Sequence, residues 1–456
     1  MAGIGFELRK LLDKAHLTGV LQAYMYAAVI GSGPWVLSIV GILIVGTLST
    51  AAGLAGAMLT QFQVSVTYLI AVSLILTGPV QLSFTRFISD ELYRERTDSV
   101  LPNLNGMLLL VAAVSGVIGV VVMLLWFGST GLGYRLMMLG AFVLLCEIWV
   151  ATLLLSGLRQ YREIVLLYAL GYGIVIGAAL LLRPLGMEGL LLGFVLGHLV
   201  LFIGMLLLVV RGYPSTRFIA FDFLRPGAML GTLMLSGLLY NLAVWADKFL
   251  FWMSEDTGQA VIGPLRASPV YDLPLFLAYL SIIPGMAVFL TRMETDFVDY
   301  YTRFYDKVRS GGTLDELEDL RDEMVLVVKQ GLGEIVKIQS IAVLAVFALS
   351  PGILRAVGIS ELNLPLFHVH VIAAGLQVVL LGLLNVFFYL DKQRIVVFLT
   401  AVFAVANLGL TWLSLAGGAP YYAYGFAISA LIAVLLATAL LSRKLETLEY
   451  ETFMLQ

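Results

Sequence analysis

The chain has 456 residues, is 60% hydrophobic and 12% charged, and has a mean hydropathy of +0.98. A soluble domain of this size does not carry that composition, so a bilayer is the expected solvent for most of it. The net charge is −3, and the one cysteine, Cys146, excludes a disulfide framework and a cysteine-rich metal site.

In chain order, residues 4–15 come first. Ile4, Leu8, Leu11, Leu12 and Ala15 fall on one helical face, with Glu7, Lys10, Asp13 and Lys14 elsewhere. This predicts an amphipathic helix over 1–19 that lies on the membrane surface. The apolar run that follows is roughly 29 residues, longer than a secretory h-region, so no cleaved leader is expected.

Twelve apolar runs, each long enough to cross a bilayer as a helix, divide the sequence. They lie near 20–48, 59–86, 102–128, 132–157, 163–182, 187–210, 226–253, 267–291, 332–356, 364–390, 395–415 and 420–441. Basic residues collect in alternate gaps. Arg9, Lys10 and Lys14 precede the first run, and Arg86, Arg94 and Arg96 follow the second. Arg159 and Arg162, then Arg211, Arg217 and Arg225, follow the fourth and sixth. The largest group, from Arg292 to Lys337, follows the eighth. Lys392 and Arg394, then Arg443 and Lys444, follow the tenth and twelfth. Arg135, Arg183, Arg266, Arg355 and Lys248 fall outside this alternation. The positive-inside rule then places both termini in the cytoplasm.

The second run ends in Thr85-Arg86-Phe87-Ile88-Ser89-Asp90 and the eighth in Thr291-Arg292-Met293-Glu294-Thr295-Asp296. Pro79 and Pro284 precede these motifs at similar distances, and the motifs occupy equivalent places in the hydropathy map. Two parallel six-helix repeats are expected, an all-α arrangement recurrent among transporters. The halves would be 20–211 and 226–456, joined by a cytoplasmic linker at 212–225.

The one sizeable polar segment, 292–330, carries ten acidic and six basic residues and predicts two cytosolic helices split at Gly311-Gly312. Thr313-Leu314-Asp315-Glu316 is a capping box for the second. Tyr300, Tyr301, Phe304 and Tyr305 in the first are expected to pack the hairpin, with docking of a cytosolic partner as the alternative.

Ionisable groups in hydrocarbon are costly and mark cavities or partners. Asp247 and Lys248 are the sharpest case. Adjacent helical positions point about 100° apart, so they are expected to face different surroundings rather than each other. With Asn241 and Trp245 they form a candidate sugar-facing surface, and a structural ion pair is the rival reading. Glu147 is a candidate coupling carboxylate, as is Asp247, with a salt bridge as the competing role of Glu147. Asp272, between Pro269 and Pro274, suits a structural or gating position. Gly33 and Pro34, in Gly31-Ser32-Gly33-Pro34-Trp35, break the first run and allow a kink, with Trp35 beside the expected path. His198 is expected to bond a neighbouring helix, and His368 and His370 have the wrong spacing for one helical metal site. No phosphate-binding loop, zinc motif or nucleophile elbow is present, so no catalytic residue, metal or cofactor is expected.

The opening Met-Ala-Gly-Ile-Gly-Phe-Glu-Leu-Arg-Lys-Leu-Leu, followed by Ile30-Gly31-Ser32-Gly33-Pro34-Trp35, resembles the inner-membrane transporters of Pel-type exopolysaccharide systems. With two parallel six-helix halves, essentially the whole chain is similar to the multidrug/oligosaccharidyl-lipid/polysaccharide exporter superfamily, the architecture of MATE transporters and lipid flippases. The resemblance implies export of a nascent galactosamine-containing polysaccharide, and the expected route is a central cleft between the halves with the first and seventh spans prominent in its walls. It also implies work beside a cytosolic glycosyltransferase and other inner-membrane Pel proteins, amid membrane lipids and with no nucleic acid. A lipid-linked oligosaccharide flippase or cation-coupled drug antiporter is the first alternative, and a non-transporting scaffold for a synthase the second.

Overall fold

In the computed structural model, the described residues are 56–158, 161–448 and Tyr450, with Tyr24, Ala27, Gly41 and Ile44. The expected amphipathic helix, most of the first span, and Gly33, Pro34 and Trp35 lie outside them. By internal packing the chain forms two compact units: Gly33–Pro269, and Met1–Ser32 together with Val270–Gln456.

In the first unit, α1 (Gly56–Tyr93), α2 (Val100–Leu125), α3 (Leu132–Gly157), α4 (Tyr161–Leu182), α5 (Met187–Gly212) and α6 (Gly231–Met253) follow in order. Each apolar run is long, and apart from Pro79 inside α1 the backbone polar groups are satisfied within the helix. α1 packs along α3 and α6, α3 along α5, and α4 along α5. Phe62, Phe194, Leu154, Leu155, Tyr168, Leu190 and Met205 lie in one continuous buried core. Where α1 crosses α6, Gly78 and Gly237 oppose each other, and a Cβ on either would strike the other's carbonyl. That absence of side chains lets the two backbones touch. Beyond α6 a short antiparallel hairpin, β1 (Gln259–Ile262) and β2 (Leu265–Ala267), closes the unit.

The second unit begins with a broken helix. α7 (Pro269–Tyr279) gives way to a 3₁₀ turn, and α8 (Ile283–Thr291) restarts with Pro284 in its first turn. Proline lacks the N–H that would continue the ladder, which explains the break. A π-helical turn, Arg292–Phe297, leads into α9 (Val298–Ser310), which stops at Gly311 in the left-handed conformation. α10 (Leu314–Val357) opens with the Thr313–Glu316 capping box, as the sequence predicts, and ends at left-handed Gly358. α11 (Leu364–Tyr389), α12 (Gln393–Gly417) and α13 (Tyr424–Glu446) complete the unit.

One element differs from expectation. The second cytosolic helix and the ninth span are a single helix of 44 residues, about 66 Å long at 1.5 Å per residue. The change from polar to apolar composition near residue 331 is a change of solvent, and the hydrogen-bond ladder runs through it.

Ten helices among the described residues are long and apolar enough to cross a membrane, and the chain is a multi-pass membrane protein. α6 is not one of the ten. Its Ser236, Asn241, Asp247 and Lys248 dilute an otherwise sufficient 23-residue helix.

Candidate functional site

Among the described residues, each unit holds a buried cluster of charged groups. In the first unit it is the end of α6. Asp247 and Lys248 are fully buried, and Lys248 Nζ lies 3.2 Å from both carboxylate oxygens of Asp247. This corrects the expectation that the two face different surroundings. The four-carbon lysine stem curls back along its own helix, so Nζ donates to the Val244 carbonyl at 2.7 Å and meets Asp247 on the way. The pair also lies beside Trp245, whose ring centroid is 5.8 Å from Nζ.

Asn241 donates to the Gly237 carbonyl at 2.9 Å and stands over the Gly78 contact. Trp245 is buried, and its indole N–H has no hydrogen-bond partner among the described residues. Trp252 is tilted against Trp245 at 6.4 Å and stacked on Tyr68 at 4.5 Å. Lys248 thus touches both Trp245 and Asp247, whereas Asn241 bonds one turn back to Gly237.

Just beyond the end of α6, Arg266 donates to the carbonyls of Trp252 at 2.8 Å, Gly258 at 2.7 Å and Ser254 at 3.3 Å. Those carbonyls belong to the last turn of α6 and the loop after it, where the helix dipole favours a cation. Sequence reasoning left Arg266 only as an exception to the charge alternation.

In the second unit the cluster surrounds the π turn. Arg292 forks onto Glu334 at 2.6 and 3.0 Å and pairs with Asp296 at 2.6 Å. Glu294 is buried and accepts from Asn385 Nδ2 at 2.8 Å and the Tyr389 hydroxyl at 2.9 Å. Sequence reasoning missed Glu294 as a buried group because it lies in a segment read as cytosolic. The repeated motif gives no sign of it, since Glu294 stands where the first copy has Ile88, but the motif's Arg and Asp do behave alike. Arg86 and Asp90 pair at 3.0 Å in α1, the same i,i+4 geometry as Arg292 and Asp296.

The sequence shows which family these clusters belong to. The PelG family model, described as "Putative exopolysaccharide Exporter (EPS-E)", matches residues 1–453. The chain belongs to the PelG family. No curated protein matches it by sequence. Among solved structures it is similar to an outward-facing multidrug resistance MATE family transporter of the MOP superfamily, with TM-score 0.63 and 14% identity over 93% of this chain and 96% of that one. A MOP superfamily transporter from Pyrococcus furiosus gives the same TM-score, identity and coverage. The Vibrio cholerae MATE transporter VcmN in its bent form gives 0.61 and 13% over 97% and 98% of the two chains. These likenesses show the MATE-like fold, and the family supplies the transport role.

Within this PelG-family chain the remaining expected residues are dispersed. Glu147 is half-buried in the middle of α3, and no ion pair joins it to a described residue. Asp272 is buried in the first turn of α7. His198 bonds the Phe194 carbonyl of its own helix at 2.8 Å, which corrects the expected bond to a neighbouring helix. An imidazole four residues on from a carbonyl reaches it without leaving the helix. His368 stacks on Phe347 at 4.1 Å and bonds Ser350, whereas His370 meets Tyr271 edge-on at 4.6 Å, so the two serve different neighbours. Phe304 is buried, while Tyr300, Tyr301 and Tyr305 are half-buried. Tyr301 contacts Tyr305, Tyr389 and Phe297, which ties α9 to the end of α11.

Proposed function

We propose that this chain moves a nascent exopolysaccharide, galactosamine-containing and Pel-type, from the cytoplasm across the inner membrane during synthesis of a biofilm matrix. The observation that carries this reading is the PelG-family match over residues 1–453, on a chain with a MATE-like transporter fold. Its basic side, with both termini, faces the cytoplasm on the positive-inside reading. The two six-helix halves are repeats joined at 212–225 on this account. The matching Arg86–Asp90 and Arg292–Asp296 pairs support it.

The substrate path runs beside α6, where Trp245, Asp247, Lys248 and Asn241 cluster with Trp252. Trp35, Gly33 and Pro34 belong to the same path and its gating, together with Asp272. If export is coupled to a cation, Glu147 is the better placed of the two carboxylates, because Asp247 is already matched by Lys248. A cytosolic glycosyltransferase and other Pel membrane proteins work beside it, with the half-buried Tyr300, Tyr301 and Tyr305 on the docking side.

The test is the location of new polymer in cells with intact synthesis machinery and the double change Asp247→Asn/Lys248→Met. Cytoplasmic accumulation, with glycosyltransferase activity and partner binding preserved, is the expected result. Normal export would remove α6 from the path and favour a scaffold role.

A further inference from the structure

The connection between α5 and α6 is an unusual loop for a protein surface. It is fixed, yet it leaves large apolar side chains exposed. Ala220 N–H donates to the Pro102 carbonyl at 2.9 Å, and Asn105 donates to the Phe218 carbonyl at 2.8 Å. Asn103 accepts from Asp222 N–H at 2.9 Å and donates to its carboxylate at 3.2 Å. Gly106 has no side chain where the Ala220 carbonyl presses against α2. Phe223 is buried edge-on against Phe84 at 5.7 Å and Phe87 at 6.4 Å. These contacts hold the loop against the flank of α2 beside residues 102–106.

Pinned in this way, the loop turns Phe218, Phe221 and Leu224 outward, with Phe218 77% and Leu224 61% exposed. An exposed apolar patch needs an occupant. The depth of the loop indicates which one. The outward apolar stripe of α2 starts at Leu109 and runs to Trp126, a length of about 27 Å at 1.5 Å per residue, close to the hydrocarbon thickness. Residues 102–106 therefore stand one to two turns before the hydrocarbon, at headgroup level. Charge points the same way. Arg211 and Arg217 are exposed and make no ion pair among the described residues, and Arg225 pairs with Asp222 at 2.5 Å. Asp222 is the only acidic residue between 211 and 225.

We propose that this loop is a lipid-docked belt on the basic side of the membrane. Phe218, Phe221 and Leu224 enter the acyl boundary, and Arg211 and Arg217 hold the phosphates of anionic phospholipids. Aromatic rings and arginines at this level are the side chains that suit a headgroup layer. The loop joins α5 to α6, so lipid held there also fixes the start of the helix that carries Asp247 and Lys248.

The test uses the full chain in nanodiscs of phosphatidylcholine with or without phosphatidylglycerol. Cys146 is buried and replaced by alanine, and a nitroxide is placed at Phe218→Cys, with Leu224→Cys as a second position. Relaxation by dissolved oxygen should exceed relaxation by a water-soluble nickel chelate at both positions. Dominance of the nickel chelate would show a water-facing loop. Inaccessibility to both reagents would show a protein occupant, another chain or a second copy. Either result overturns the proposal. In parallel, retention of phosphatidylglycerol is read by native mass spectrometry. Arg211→Gln/Arg217→Gln should weaken it by about fivefold per arginine, and unchanged retention would contradict the role of the two arginines.

Discussion

Of the five cations outside the alternation of basic gaps, Lys248 and Arg266 are anchored by backbone carbonyls at α6. Lys248 bonds Val244 and the Asp247 carboxylate inside α6, and Arg266 bonds Trp252, Ser254 and Gly258 at its end. Removing one partner of a buried pair leaves the other charge uncompensated. Lys248→Met should therefore destabilise the protein by about 3–5 kcal/mol, read as a lowered unfolding midpoint in detergent. Asp247→Asn/Lys248→Met should recover most of that loss, because no lone charge is left. If the double change is as damaging as the single one, the pair is not the stabilising unit. Gly237 offers a second test at this scale. Its hydrogen faces the Gly78 carbonyl, so Gly237→Val must separate α1 from α6. A loss of about 1–3 kcal/mol is expected from overpacking. An unchanged unfolding midpoint would show that the crossing is loose.

Among the secondary elements, the β1–β2 hairpin is held to α1 as well as to α6. Gln61 donates to the Val261 carbonyl at 3.4 Å, and the Tyr68 hydroxyl donates to the Arg266 carbonyl at 2.9 Å. Arg266→Ala removes three charge-assisted bonds at once. It should expose residues 255–265 to protease while the transmembrane helices stay protected, and equal resistance in both proteins would contradict the anchoring role. The α9–α10 connection carries a pH dependence with a definite sign. The Thr313 backbone N–H, and then Lys307, hold the exposed Glu316 carboxyl below its ordinary value of 4.5. The folded value is the lower one, so the stabilisation is present above the ordinary value and is lost as pH falls through the folded value. Amide protection at the start of α10, corrected for intrinsic exchange, should hold from about pH 7 to about pH 5 and fall below about pH 4. Protection that is flat through the acid range would contradict the capping box. Thr313→Ala should cost about 1 kcal/mol at neutral pH.

Across the whole molecule, what the sequence shows is the solvent of each segment. Apolar runs located most of the long helices, because hydrocarbon leaves a chain few choices, but they did not show the break between α7 and α8. The Thr313 cap and the Gly311 stop were legible for a different reason, since both rest on local backbone chemistry. Composition could not show that α10 continues from the polar segment into the membrane. Helical angle did not reveal the Asp247–Lys248 pair, because a long flexible stem overrides the direction of its Cβ. Glu294 escaped notice because it lies in the segment read as cytosolic, and its partners Asn385 and Tyr389 lie far along the chain. The family is carried by the whole length, from residue 1 to 453.

On the proposed function, this chain is the route by which an exopolysaccharide leaves the cell interior. The direct measurement is to deplete it while the synthesis machinery is kept intact, and to locate the newly made, labelled polymer. Polymer should accumulate in the cytoplasm, with glycosyltransferase activity still measurable in the same cells. Polymer reaching the exterior at an undiminished rate would contradict the proposed function.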